Sequence, residues 1–164
     1  MFKLNHPKVR VFSCEVASHL RLEPSFVDFV FADYRPECLR NWVEDAHTGW
    51  TCYVPEEFDV AFPLWCCNAD QTLILGKGSE IFFGEGWHDN AEMEMISRTT
   101  QGLLTRLIAK LIDVGDSDDE LHQAAESCNY SYLDELLELV RQTTDRSWSE
   151  TLKRFIAEVD ARSE

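Results

Sequence analysis

The best candidates for chemistry in this chain lie close together, at His88, Asp89, Glu92 and Glu94. A histidine followed by carboxylates can bind a divalent metal or exchange protons with a substrate. However, Glu92 and Glu94 alternate with methionines in a predicted strand, where carboxylates normally point to water. The sequence also lacks a second histidine at ligand spacing. We therefore expect no catalytic residue, no metal ion and no cofactor.

The cysteines are the other candidates, and their spacing forms neither a CxxC pair nor a zinc site. A cysteine nucleophile needs a histidine base, and Cys66 or Cys67 with His88 is a conceivable pairing. No strained nucleophile elbow surrounds these thiols. We expect all six to be free, reduced and structural. They are Cys14, Cys38, Cys52, Cys66, Cys67 and Cys128.

Charge carries more information about function than any motif does. The chain has 30 acidic and 15 basic residues, for a net charge of −15. Nucleic acids and anionic membranes both require basic patches, so we expect neither as a partner. A surplus of carboxylates instead attracts a basic protein and speeds its association. The sequence leaves the oligomeric state open.

The predicted partner-binding residues fall into two groups. Acidic side chains are concentrated after Ile112, and a tryptophan in a glycine-rich loop lies beside the His88-Asp89 pair. Exposed tryptophan is a favoured anchor in protein interfaces. The predicted binding residues are Trp87, His88, Asp89, Asp116, Asp118, Asp119 and Glu120.

A central unit must position these residues. Residues 72–75 and 80–83 are short, apolar and β-branched or aromatic, which predicts two strands. Gly76-Lys77-Gly78-Ser79 lies between them and leads into a strand, so it is a hairpin turn rather than a P-loop. A second turn or loop is predicted at 84–90 and a third strand at 92–96, giving an antiparallel meander with one face wet. A helix follows, with leucines and isoleucines inward over 103–112 and Thr105, Arg106 and Lys110 on the opposite side.

The flanking segments are less regular. We predict strands at 8–16, 26–31 and 50–54, with a helix starting at Pro24 as the alternative for the second. A short helix is predicted at 36–43, and Pro63 indicates an edge or an irregular entry into the strand at 58–65. After an acidic linker, three helices are predicted, with Ser117–Glu120 and Ser147–Glu150 as capping boxes. Asn129 should end the first of these helices, and Ser131 should cap the second.

These elements predict an α+β fold, an antiparallel or mixed sheet covered by helices, with a C-terminal helical extension. Residues 1–112 would form the core domain, and residues 113–164 an acidic helical extension packed on the same domain. The N-terminus lacks the apolar region of a secretory signal, and no apolar run approaches the ~20 residues of a membrane helix. We therefore expect a cytoplasmic protein.

The order of elements resembles the SUKH superfamily of Smi1/Knr4-like proteins. The resemblance covers roughly residues 55–112: a Pro-Leu-Trp segment, TLIL, EIFF, a His-Asp loop, EMEMIS and TTQGLLTRLIAKLI. It implies a β-meander closed by a helix. It also implies a function, because bacterial members are commonly immunity proteins that neutralise polymorphic toxins, often nucleases.

We therefore predict a non-enzymatic immunity protein that neutralises a basic toxin, such as a nuclease, by occluding it. Two alternatives remain open. One is a small enzyme or metal-binding protein that uses His88, Asp89 and Glu92. The other is a regulatory scaffold that holds an endogenous partner with its acidic helices.

Overall fold

The computed structural model describes residues 8–45, 54–67, 70–87, 93–143 and 147–163, with Trp87 described by its backbone alone. Within these ranges the chain forms five antiparallel strands in the order β1-β2-β3-β4-β5, together with seven helices. The α+β fold with C-terminal helices is thus confirmed. The strands are β1 Glu44–Asp45, β2 Val60–Cys67, β3 Asp70–Lys77, β4 Glu80–Trp87 and β5 Met93–Ser97. The helices are α1 Cys14–His19, α2 Pro24–Val30, α3 Glu37–Arg40, α4 Thr100–Val114, α5 Asp118–Cys128, α6 Leu133–Gln142 and α7 Trp148–Ser163.

The predicted meander is present, but its strands are longer than the apolar runs suggest. β3 and β4 meet in a tight turn where Gly78 adopts a φ of 61°. The loop expected to begin at Gly84 is wrong, because β4 continues to Trp87. Gly84 lies within β4, where a Cβ would be 3.1 Å from Met93 Sδ and 3.2 Å from Leu75 Cδ1. A larger residue would crowd both of these side chains. Its glycine character therefore reflects close packing rather than a turn.

Both faces of the sheet carry buried apolar side chains. Ile74 and Phe83 face the main core, whereas Leu73 and Leu75 belong to a smaller cluster with Phe58. The expectation of one wet face is therefore wrong, since Leu73 and Leu75 are fully buried. Pro63 lies in β2, which is an inner strand between β1 and β3 and not the predicted edge. The register shifts between Pro63 and Trp65, which confirms the predicted irregularity.

The central helix α4 forms as predicted and closes the main core. Thr99 caps it by accepting a hydrogen bond from the Gly102 N–H, and Gly115 ends it with a φ of 87°. Its leucines and isoleucines pack into the core. Thr105 was expected at the surface but is fully buried, where its hydroxyl lies 3.0 Å from the hydroxyl of Tyr130. This hydrogen bond compensates for burying a polar group.

The two predicted N-terminal strands are wrong. Residues 14–19 form α1, capped by Ser13, and only Val9 of the segment 8–16 makes a β-bridge, to Ala61. Residues 24–30 form α2, the alternative that starts at Pro24. Phe26 and Phe29 are buried three residues apart and both contact the ring of Trp65. Helical packing on a distant residue has overridden the β-propensity of this segment.

The local signals of α5 are confirmed, that of α6 is wrong, and the Ser147–Glu150 capping box stays a prediction. Ser117 and Glu120 form the predicted capping box, and Asn129 ends α5 with a φ of 55°. Ser131 does not cap α6, because Tyr132 holds the N-cap position, where its side chain makes no capping hydrogen bond. The Ser131 N–H is instead bound to Gln101 Oε1 at 3.0 Å.

Helix α7 begins at Trp148 and contacts both α4 and β5. The predicted strand at 50–54 lies outside the described residues except for Val54, which is not in a strand. None of the described helices is long and apolar enough to cross a membrane.

Candidate partner-binding surface

The strongest charge asymmetry lies in residues 111–140, which contain nine acidic residues and no lysine or arginine. This stretch includes the end of α4, all of α5 and most of α6. The unbalanced negative charge therefore lies on consecutive helices. The side chains in this stretch fall into two kinds: those already used inside the fold, and those still available to a partner.

Glu120 is of the first kind. Its Oε2 accepts hydrogen bonds from the Ser117 N–H at 2.8 Å and from the Ser117 hydroxyl at 2.7 Å. These bonds lower the pKa of Glu120 below its usual value. The carboxylate is thus held against the start of α5, where a negative charge also complements the helix dipole. Its side chain is therefore already used in capping α5, and its role in partner binding stays a prediction.

Asp113 and Asp116 are also partly engaged within the fold. Asp113 Oδ1 accepts a hydrogen bond from the indole N–H of Trp148 at 2.9 Å, which ties the start of α7 to the end of α4. Asp116 is half-buried, and burial, followed by the nearby Glu120 charge, raises its pKa. Of the predicted acidic residues that the structure describes, Asp118 and Asp119 are therefore the ones freest to meet a partner.

We define the acidic face as Asp118, Asp119, Glu126 and Asp134. All four residues are exposed, and none forms an ion pair with a described lysine or arginine. Their neighbours on α6 differ, because Glu135 pairs with Arg162 at 2.9 Å and Glu138 with Arg141 at 3.4 Å. The charge of the acidic face is thus not neutralised by the described part of the protein.

A groove of about 390 Å³ runs between α5 and α6 within the acidic face. Glu126 and Asp134 contribute carboxylates to it, and Tyr130 contributes an aromatic side chain. Asp118, His122 and Glu126 recur every four residues, so they share one side of α5. His122 Nδ1 lies 2.7 Å from the carbonyl oxygen of Asp118, which accepts a hydrogen bond from it. The groove can therefore receive a long basic side chain between carboxylates. Its lining residues are His122, Ala125, Glu126, Tyr130, Ser131, Leu133 and Asp134.

Sequence reasoning missed Glu126 and Asp134 as groove residues. The absence of lysine and arginine from residues 111–140 was the signal that could have added them to the predicted binding residues. The groove itself has no sequence signal, because it depends on the turn at Asn129 that joins α5 to α6.

Of the other predicted group, Trp87, His88 and Asp89, the structure describes only the backbone of Trp87. Trp87 is the last residue of β4, where its backbone pairs with Asp70. His88 and Asp89 lie outside the described residues, as does Glu92. Asp70 Oδ2 is 3.4 Å from Nζ of Lys110 on α4, which places the end of β4 beside the second half of that helix. The described contacts do not join Trp87 directly to the acidic face.

A second charged cluster, which the sequence did not suggest, covers the end of the sheet. Lys110 Nζ lies 2.8 Å from Glu85 Oε1, and Arg106 Nε lies 3.3 Å from Glu85 Oε2. Arg106 and Lys110 were expected to face solvent, yet they lie against β3 and β4. Glu94 is 3.5 Å from Arg106, which makes it part of the same network. These pairs neutralise one another, so the cluster holds α4 to the sheet.

Cys67 lies near this charged cluster. Burial raises its pKa to about 11, so its thiol stays protonated at neutral pH. Cys66 is also buried and donates to the carbonyl oxygen of Asp45 at 3.1 Å. Thiolates rather than thiols are the reactive nucleophiles. Among the described residues, no group of three or more His, Cys, Asp and Glu side chains could hold a metal ion.

The architecture defines an α+β protein in which a meander is closed by a central helix and extended by acidic helices. No protein-family model, curated protein or solved structure matches the chain.

Proposed function

We propose that this protein is a non-enzymatic immunity protein, which binds a basic toxin through the acidic face and occludes the toxin's working surface. The observation that carries the proposal is the uncompensated charge of Asp118, Asp119, Glu126 and Asp134 within a stretch that lacks lysine and arginine. Such a surface attracts a basic protein over a distance of about one Debye length, ~8–10 Å at physiological salt.

A nuclease is the kind of toxin that this chemistry fits. Proteins that bind nucleic acid do so mainly through lysine and arginine contacts to phosphates. An array of carboxylates on α5 and α6 offers those cations an alternative anionic surface. Binding of the acidic face would then cover the nucleic-acid site directly. The resemblance of residues 55–112 to SUKH proteins agrees with this role, since bacterial members commonly neutralise such toxins.

The groove between α5 and α6 supplies specificity in this proposal. A lysine or arginine inserted beside Glu126 and Asp134 would lie near the Tyr130 side chain. Arginine in particular pairs with carboxylates and stacks on aromatic rings. Trp87 is proposed as an additional anchor at the end of the sheet, so Trp87→Ala should speed dissociation of the complex while leaving its association rate nearly unchanged.

Affinity capture from the native cytoplasm tests the proposal when paired with a variant of the groove. The wild-type protein should retain a basic protein that Glu126→Lys/Asp134→Lys fails to retain. Asp28→Lys/Asp33→Lys serves as the matched control, because it changes the net charge equally at two exposed positions on and after α2. The control should capture the same partner as the wild type.

The purified partner then decides between occlusion and catalysis. Its activity should fall linearly as this protein is added and end at one equivalent, and its mass should remain unchanged. Chemical modification of the partner with multiple turnovers would contradict occlusion and favour an enzyme. Capture that is equal for all three proteins would show that the acidic face is not the binding surface.

A further inference from the structure

We propose that Gln101 of α4 is the positioning residue of the groove between α5 and α6, so that the spacing of the groove's carboxylates is set from inside the protein. This inference rests on the proposed function, because it concerns the same acidic face. Gln101 is only 6% exposed, and its amide is bonded to both residues that flank Tyr130. Its Nε2–H donates to the carbonyl oxygen of Asn129 at 2.9 Å, and its Oε1 accepts from the Ser131 N–H at 3.0 Å.

Thr105 adds a second buried attachment to the same turn. It follows Gln101 by four residues, so both side chains lie on one side of α4. Its hydroxyl donates to the Gln101 carbonyl oxygen at 2.9 Å and lies 3.0 Å from the Tyr130 hydroxyl. Because a hydroxyl has one proton, the Tyr130 hydroxyl is the donor in the second bond. The turn at residues 129–131 is thus bonded to α4 at each of its residues.

The position of this turn determines the shape of the groove. Glu126 lies in the last turn of α5, just before the turn, and Asp134 is the second residue of α6, just after it. Tyr130 and Ser131 of the turn also line the groove. Both carboxylates therefore move with the turn, and anchoring it on α4 holds them at a fixed spacing. A binding site held in this way by buried hydrogen bonds is organised before its partner arrives.

Apolar packing alone does not give this precision. Leu121 and Ala124 of α5 and Leu136 of α6 belong to the main core, together with the leucines of α4. Hydrophobic contact is non-directional, whereas a hydrogen bond depends on both distance and angle. Without the Gln101 amide, the two helices should therefore stay packed on α4, but the turn between them should lose its fixed position.

Binding kinetics with the captured basic partner separate positioning from charge. Gln101→Met keeps the length of the side chain and removes both hydrogen bonds without changing any charge of the acidic face. The association rate, which depends on long-range attraction, should change by less than about twofold, whereas the dissociation rate should rise about tenfold. Gln142→Met is the matched control, because it makes the same chemical change at the exposed far end of α6. It should leave both rates unchanged.

Amide hydrogen exchange of the purified protein alone tests the same inference without a partner. The Leu136 N–H, bonded to the Tyr132 carbonyl oxygen at 3.0 Å, reports on the start of α6. The Ile108 N–H, in the fully buried middle of α4, reports on unfolding of the whole protein. In Gln101→Met, exchange at Leu136 should become about tenfold faster relative to exchange at Ile108, because the region opens locally.

Two results would overturn the positioning role of Gln101. One is equal acceleration of exchange at Leu136 and Ile108, which would show a loss of overall stability only. The other is an unchanged dissociation rate for folded Gln101→Met. Thr105→Val, which removes only the hydroxyl bonded to Tyr130, is a milder second variant and should change both measurements in the same direction. A wild-type protein that binds no basic partner would refute the proposed function, whereas the exchange measurement would still decide whether Gln101 holds the groove.

Discussion

Asp160, near the end of α7, accepts a hydrogen bond from the hydroxyl of Thr99, the residue that caps α4, with 2.7 Å between the two oxygens. The Arg98 N–H also binds this carboxylate, at 2.9 Å, and the Ser97 hydroxyl lies 2.7 Å from it. The last helix is thereby bonded to the start of the central helix. The acidic C-terminal helices are part of the packing of the α+β core at this point.

Removing the Asp160 carboxylate should therefore destabilise the whole fold. We expect Asp160→Ala to lower the free energy of unfolding by about 1.5–3 kcal/mol, the range for hydrogen bonds to a charged group. Glu158→Ala, at an exposed position on the same helix, is the control and should change stability by less than ~0.5 kcal/mol. Urea unfolding measures both variants, and equal stability of the two would contradict the capping role.

The ion pair between Glu85 and Lys110 should stabilise the contact of α4 with the sheet. Their side chains are only 8% and 15% exposed. Lys110→Met leaves the carboxylates of Glu85 and Asp70 without this partner, so we expect a loss of about 3 kcal/mol, the low end for breaking a buried pair. Adding Glu85→Gln should recover part of that loss. Arg141→Met, which breaks an exposed pair, should cost under ~1 kcal/mol. An equal loss for Lys110→Met and Arg141→Met in urea unfolding would show that burial of the pair is unimportant.

Asp70 should make stability fall as pH rises above the usual range of aspartate titration. Burial raises its pKa, an effect that the Lys110 charge only partly offsets. The folded state therefore retains a proton that the unfolded state has released, so ionisation of Asp70 opposes folding in that interval. The stability of the wild type relative to Asp70→Asn should decline as pH rises from about 4. Unfolding curves over this pH range measure the difference in stability between the wild type and Asp70→Asn, with Asp28→Asn as the exposed control. A difference in stability that stays constant with pH would contradict the raised pKa of Asp70.

The thiols should react in the order of their exposure. Cys14 is exposed, whereas burial raises the pKa of Cys128 to about 12 and that of Cys67 to about 11. Alkylation of the native protein should therefore modify Cys14 first and Cys67 and Cys128 last, since the thiolate is the reactive form. Mass spectrometry follows the time course. After denaturation without reductant, all six cysteines should be alkylated, and a native disulfide or bound zinc would refute free thiols.

Elements whose signals are local could be predicted from the sequence. The capping box of α5 depends on Ser117 and Glu120, three residues apart, and both the spacing and the bond are present. The leucine pattern of α4 was likewise sufficient to predict that helix and its buried side. By contrast, Phe26 and Phe29 fit either a strand or a helix, and Trp65, far along the chain, decides between them. Such long-range contacts leave no periodic signal.

The same distinction applies to the candidate site. The acidic composition after Ile112 was evident, and the capping-box spacing already indicated that Glu120 is bonded to Ser117. The half-burial of Asp116 was not evident. Arg106 and Lys110 looked like a solvent-facing side of α4 because their partner Glu85 lies in a different element. Whether a charged side chain is free or already paired depends on the tertiary structure. The sequence could therefore predict the sign of the surface charge, but not which residues carry it.

The association rate with the captured basic partner, measured by stopped-flow as a function of salt, tests the central claim most directly. We expect the wild-type rate to fall as salt rises, and Asp118→Lys/Asp119→Lys to lower it by about tenfold at low salt. Asp28→Lys/Asp33→Lys, with the same change in net charge, should lower it much less. Rates that depend neither on salt nor on Asp118 and Asp119 would contradict binding through the acidic face.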